Sequence, residues 1–226
     1  MSISPRGTIT LDASGSNGIN FAAFIGGGFL SDATGGGMPV FDNGPNFAGD
    51  EMFIGFGTES TSKYVLAHGS LEYNFSTHTV WGEIGTIEYG TRGTGSYDAN
   101  GYFTGGNVAL RITGLDFSNP LPSNPAEEAE IEATGEVHNF SVAHMYGSSA
   151  PQARLDLYAE HLGQYSQHFV GSDGDDVYVG TAYDDTIEGG GGTDQLGGGG
   201  GDDTIDGGDG DDTVVYSGNP ADYTVE

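Results

Sequence analysis

Residues 171–215 read GSDGDDVYV, GTAYDDTIE, GGGGTDQLG, GGGGDDTID and GGDGDDTVV, five nine-residue units in unbroken register. The last three match G-G-x-G-x-D-x-U-x at every fixed position, where U is large and apolar, and the first two match it at all but Ser172, Thr181 and Tyr183. An acid recurs at the sixth position (Asp176, Asp185, Asp194, Asp203, Asp212). An apolar or aromatic residue recurs at the eighth (Tyr178, Ile187, Leu196, Ile205, Val214). A flexible Gly/Asp linker has no reason to keep an apolar residue at every ninth place, so the period predicts a solenoid with one rung per unit. If two units make a turn, units two apart stack. Asp176, Asp194 and Asp212 then share one edge, Asp185 and Asp203 the other, and the eighth-position side chains form a thin core. Glycine permits φ > 0 and lets the loop carbonyls turn inward. Inward carbonyls and carboxylates make an all-oxygen donor set, which suits calcium at about 2.3–2.6 Å. The fifth-position acids (Asp175, Asp184, Asp202, Asp211) face solvent, and their repulsion opposes folding until a cation neutralises it.

This pattern resembles the calcium-binding parallel β-roll of RTX proteins. The resemblance implies that each ion sits between stacked loops. It takes the sixth-position carboxylates together with the second- and fourth-position carbonyls: Ser172 and Gly174, Thr181 and Tyr183, Gly190 and Gly192, Gly199 and Gly201, Gly208 and Gly210. Three loop pairs are complete, Asp176 with Asp194, Asp194 with Asp212, and Asp185 with Asp203. Without calcium, residues 171–215 are expected to be unfolded. RTX proteins generally leave bacteria through a type I channel, guided by an uncleaved C-terminal signal. A secreted, extracellular protein is therefore expected. Residues 171–216 are assigned to the roll, and 217–226 to the start of a C-terminal secretion-type segment of a longer chain.

The remaining composition agrees with that setting. The net charge is −28, with Arg6, Lys63, Arg92, Arg111 and Arg154 as the whole basic complement. Nucleic acid and anionic membrane surfaces need a basic face, so neither is an expected partner. There is no cysteine, hence no disulfide framework, and calcium is the other common staple outside a cell. The N-terminal MSISPRGTITLDASGS has neither the charged nor the apolar region of a signal peptide. No stretch approaches the roughly 18 apolar residues of a membrane span, so no membrane insertion is expected.

Residues 1–170 read as a separate domain. INFAAFIGGGFL (19–30) suggests a short helix weakened by three glycines. Closely spaced strand-like runs follow: EMFIGF, SKYVLAHGSLEYNF, HTVWGEIGTIEYG and NVALRITGLDF. Two helical patterns come last, 126–147 with a break near Gly135, and 149–169 with an apolar stripe of Leu155, Tyr158, Leu162 and Tyr165. An antiparallel sheet with helices on one face is an α+β domain.

GSLEYNFSTHTVWGEIGTIEYG (69–90), GLDF, and EVHNFSVAHMYGSSAPQARLDLYAEHLGQYSQHF resemble the bacterial hemophores, secreted heme-acquisition proteins. The resemblance implies heme as a second cofactor and iron acquisition as the role. An outer-membrane receptor or a host heme protein would be the partner. It assigns Tyr73 as the iron ligand and His78 as the histidine that hydrogen-bonds the phenol. The segment between them is shorter than the family's. Residues 1–67 hold no histidine, which leaves Met38 as the candidate for the opposite axial position. If Ser76–Thr77 is the hairpin turn, Tyr73 opposes Val80, and Tyr73 and His78 lie diagonally on one face. The residues alone also allow Tyr73 and Phe75 as sheet packing and His78 as a hairpin cap. A surface or matrix interaction protein that has lost heme is accordingly the alternative function. His138, His144, His161 and His168 read as surface or hydrogen-bonding residues. No H-E-x-x-H, G-x-S-x-G, cysteine nucleophile or phosphate loop is present, so no enzymatic activity is expected.

Overall fold

The computed structural model describes residues 4–33, 39–42, 48–74 and 79–217. The chain runs through β1 (Thr8–Asp12), α1 (Phe21–Ala23) and a π-helical stretch at Phe24–Gly28. Next come β2 (Val40–Asp42), β3 (Ala48–Gly55), β4 (Lys63–Asn74) and β5 (Thr79–Thr91). The small β6 (Ser96–Tyr97) and β7 (Phe103–Thr104) precede the long β8 (Asn107–Asn119). Helices α2 (Pro125–Thr134), α3 (Glu136–Met145) and α4 (Gln152–Leu162) lead to β9 (Ser166–Val170). The repeats then form β10 (Val177–Val179), β11 (Thr186–Glu188), β12 (Gly191–Gly192), β13 (Gln195–Gly197), β14 (Thr204–Asp206), β15 (Asp209–Gly210) and β16 (Thr213–Val214).

Two compact units result. One is residues 23–162; the other joins residues 1–22 to 163–226. The N-terminal strand thus groups with the repeats. The reason lies in pairing: β1 runs parallel to β9, and β9 runs parallel to β11.

In the unit 23–162, β2, β3, β4, β5 and β8 form an antiparallel sheet in that order. Helices cover one face. Met52 on β3 meets Ser141 of α3, and Tyr89 on β5 meets His144 of α3 and Tyr158 of α4. On the other face Phe53, Tyr64, Leu66 and Phe103 cluster, with the Arg92 guanidinium over two of the rings. Burying each of these apolar side chains is worth about 1.5–3 kcal/mol. The weak first helix is distorted where expected: Gly27 has φ 103°, and a Cβ there would meet Leu155 Cδ1 at 2.9 Å. The break at Gly135 is also present. There Asn119, at the end of β8, accepts from the Val137 and His138 amides at 2.8 and 3.1 Å and caps α3. Asn124 caps α2 in the same way, with Pro125 in the first turn.

The helix expected over 149–169 stops at Leu162, and 166–170 is a strand. Gly163 weakens the helix. Beyond it, Phe169 is fully buried against Tyr178, rings parallel and 4.1 Å apart, which only an extended segment beside the repeats allows.

Among the described residues, no helix is long and apolar enough to cross a membrane.

Candidate metal centre

The repeats form the two stacked edges that the period requires. Val177, Gln195 and Thr213 align in one parallel row, and Thr186 aligns with Thr204 in the other. Eighth-position side chains point inward, with Tyr178, Ile187 and Leu196 buried. Glycines recur where the loops need them. Gly190 and Gly192 have φ of 100° and 118°, and a Cβ on Gly190 would lie 2.2 Å from the Ser172 carbonyl oxygen. No other residue type fits so close a backbone approach.

The sixth-position carboxylates link one turn to the next. Asp194 Oδ1 accepts from the Asp176 amide at 2.8 Å, Asp212 Oδ1 from the Asp194 amide at 3.0 Å, and Asp203 Oδ1 from the Asp185 amide at 3.0 Å. Two fifth-position acids help from the solvent side: Asp175 accepts from Thr193 N, and Asp184 from Asp202 N. Asp176, Asp185 and Asp194 are all buried. Ser172, Gly174, Thr181, Tyr183, Gly190, Gly199, Gly201 and Gly208 lie between the strands of these stacks, and Gly192 and Gly210 lie in the short β12 and β15. The second-position carbonyls of Ser172, Thr181 and Gly190 also accept amides from the next turn.

The donor set fits calcium. Asp194 is 1% exposed, and its Oδ2 has no hydrogen-bond partner. A buried charged oxygen without a partner is costly, and a cation removes the cost. Burial first, and then the neighbouring Asp176 and Asp212 charges, raise the Asp194 pKa above the ordinary carboxylate value. Asp185 and Asp203 are raised too, again chiefly by burial. Among the described residues, no three acidic or histidine side chains converge on one point. The sites would therefore combine carboxylates with backbone oxygens, as calcium tolerates.

The candidate heme residues are only partly in view. Tyr73 lies at the end of β4 and pairs with Val80, the register expected from the hairpin. Its side chain is 7% exposed and stacks beside Phe41, ring centroids 6.4 Å apart. Burial, with Tyr146 as a second cause, pushes the phenol pKa up and keeps the hydroxyl protonated. His78 and Met38 lie outside the described residues.

His138, one of the histidines read as surface or hydrogen-bonding, is buried, and its Nδ1 accepts from the Val80 amide at 3.3 Å, across the ladder from Tyr73. Burial, then the Arg154 charge, lowers its pKa to about 4, so it is a neutral acceptor. A helix position six before another histidine carries no signal for this contact. His144 is fully buried, its ring nitrogens facing the Tyr89 hydroxyl at 3.0 Å and the Phe140 carbonyl at 2.6 Å. On the other face, Trp81 Nε1 donates to Glu72 Oε2 beside a shallow groove of about 290 Å³.

Comparison with known proteins matches both halves of this architecture. The family profile for the RTX calcium-binding nonapeptide repeat (4 copies) matches residues 170–205 and 194–218. No curated protein matches the chain by sequence. Among solved structures, the apo hemophore HasA from Yersinia pestis is 19% identical with a TM-score of 0.52, over 71% of this chain and 95% of that one. The holo form from the same organism is 18% identical with a TM-score of 0.52, over 68% and 88%. A mutant HasA monomer from Yersinia pseudotuberculosis is 16% identical with a TM-score of 0.54, over 71% and 97%. At such identities the likeness concerns the fold. The chain combines RTX calcium-binding nonapeptide repeats with an α+β fold similar to that of the hemophore HasA.

Proposed function

We propose that this is a secreted protein that folds its roll on extracellular calcium and binds heme through Tyr73 for iron acquisition. Type I export would suit a repeat segment that stays open where calcium is scarce. The calcium part rests on the unpartnered, buried Asp194 Oδ2. Asp194, Asp203 and Asp212 would hold the ions with loop carbonyls, at affinities of about 10⁻⁴–10⁻³ M typical of extracellular modules.

The heme part rests on one observation. Tyr73 sits at the end of β4, one residue before the strand stops, in a fold similar to HasA. Bound iron would act as a Lewis acid that favours the phenolate. The chain's own contribution is to fix the ring between Phe41 and the sheet. Hemin titration of the calcium-loaded protein tests this. A saturable Soret band that Tyr73→Phe weakens at least about tenfold is expected, as for loss of a metal ligand. Equal binding by both proteins would remove Tyr73. A second reading is an interaction module without heme. The low exposure and raised pKa of Tyr73 favour it, and absence of any saturable hemin spectrum would select it.

A further inference from the structure

We propose that the calcium roll begins at Thr8: residues 8–21 and 163–170 make its first turn and a half without metal, and that start is the template on which the calcium-dependent turns assemble. Register carries the argument. On one edge Asn20 pairs in parallel with Val177, which continues the row through Gln195 and Thr213. On the other, Thr10 pairs with His168, which continues through Thr186 and Thr204.

The backbone bonds repeat in kind. Val177 N donates to Ile19 O at 2.7 Å as Gln195 N donates to Asp176 O at 2.8 Å. Ala13 N donates to Val170 O at 2.7 Å as Gly171 N donates to Glu188 O at 2.7 Å. Asp176 Oδ1 accepts from Ile19 N as Asp194 Oδ1 accepts from Asp176 N. Asp185 Oδ1 accepts from Gln167 N as Asp203 Oδ1 accepts from Asp185 N. Ile19 and Gln167 therefore hold the sixth, acidic position of the repeat. Phe21, Leu11 and Phe169 hold the eighth, apolar one, and all three are buried.

Neither Ile19 nor Gln167 is a charged ligand, and the turn meets the next one through hydroxyls. Ser172 Oγ lies 3.1 Å from Asp176 Oδ2 and accepts the Gly18 amide at 2.9 Å. Thr181 Oγ1 lies 3.0 Å from Asp185 Oδ2. Backbone amides of Ser172 and Thr181 also reach these carboxylates, at 2.7 and 2.5 Å. Asp176 and Asp185 are thus satisfied by protein donors, whereas Asp194 Oδ2 is not. The second position is Ser or Thr only in these two units and glycine in the three that follow. The core is also most aromatic here: Phe21 meets Tyr178 edge-on at 5.5 Å, Phe169 stacks on the same ring, and the Tyr178 hydroxyl donates to Gln167 Oε1. Apolar burial can hold this turn where the later ones need an ion.

Residue-resolved hydrogen exchange on the full chain tests the proposal. In EDTA the amides of Ile19, Gln167 and Val177 should exchange at least about tenfold more slowly than those of Thr204 and Thr213, and calcium should protect the latter two. Equal exchange of all five in EDTA would overturn it. Counting bound calcium gives the second arm. Asp176→Asn and the milder Ser172→Ala should speed exchange at Ile19 and leave the count unchanged, while Asp194→Asn lowers it. A loss of ions in Asp176→Asn as large as in Asp194→Asn would also overturn the proposal.

Discussion

The unit 23–162 and the repeats solve the same problem with different materials. The first encloses large side chains, among them Phe53, Tyr64, Tyr89, Phe117, Phe140 and Tyr158, each at most 2% exposed. The second has about one large apolar side chain in nine to enclose. Its outer turns end on Ile205 and Val214, both half-buried, and its order comes from backbone ladders and carboxylates. A side-chain core is complete once the chain has folded. A carboxylate ladder concentrates like charge and leaves an oxygen such as Asp194 Oδ2 for something else to satisfy. One unit therefore carries its stability internally, and the other borrows it from solution.

Chelation should break the comparison open most widely. EDTA is expected to abolish the thermal transition of the outer repeats and to leave that of residues 23–162 in place, as read by calorimetry with and without calcium. A single cooperative transition that calcium does not move would contradict the division. Acid should act in the other direction, on the unit calcium ignores. His144 is fully buried, and burial lowers its pKa to about 4, with His138 lowered similarly. Both rings are neutral in the folded state, while the unfolded chain protonates them near the ordinary value of about 6.5. Stability is thus full above about pH 6.5 and falls toward pH 4, by up to about 1.4 kcal/mol per pH unit for each histidine. Denaturant midpoints of wild type and His144→Gln across that window should show the slope, and its flattening in the variant. The smallest effect concerns Asn119, whose side chain caps α3 from the end of β8. Asn119→Ala should cost about 1 kcal/mol, visible in the same denaturant curves and confined to the calcium-independent transition.

Legibility in the sequence followed the distance between partners. The repeats were readable because each residue's neighbour lies two units away in the chain, so the period states the contact. Tyr73 opposite Val80 was readable because a hairpin fixes its own register. The break at Gly135 was readable because helices stop at such residues, but the Asn119 side chain that fills the gap was not. Residues 8–21 escaped notice for two physical reasons. Their sixth position carries Ile19 in place of an acid, and their partner Asp176 is 157 residues away. Residues 163–170 escaped because Leu162 and Tyr165 continue a helical stripe, while Gln167 and Phe169 also satisfy the repeat. Only the burial of Phe169 on Tyr178 decides between those patterns. For the candidate site, the sixth-position acids fall into their two stacks. The distinction between self-satisfied Asp176 and unpartnered Asp194 depends on second-position hydroxyls, Ser172 and Thr181, where the repeat formula writes glycine.

The separation of Ile19 from Asp176 also sets an order of events. Successive repeat turns close loops of 18 residues, whereas the first turn closes one of 157. Closing the longer loop from an unfolded chain costs about 2 kcal/mol more in entropy, since each doubling adds about 0.6 kcal/mol. Non-local closure of this kind is slow. Prior folding of residues 23–162 would remove most of that loop's freedom before Thr8–Phe21 seeks its partner. Refolding should therefore be sequential: residues 23–162 first, the N-terminal strand next, and the calcium-dependent turns on it, so that the strand's arrival marks a chain whose middle is already in order.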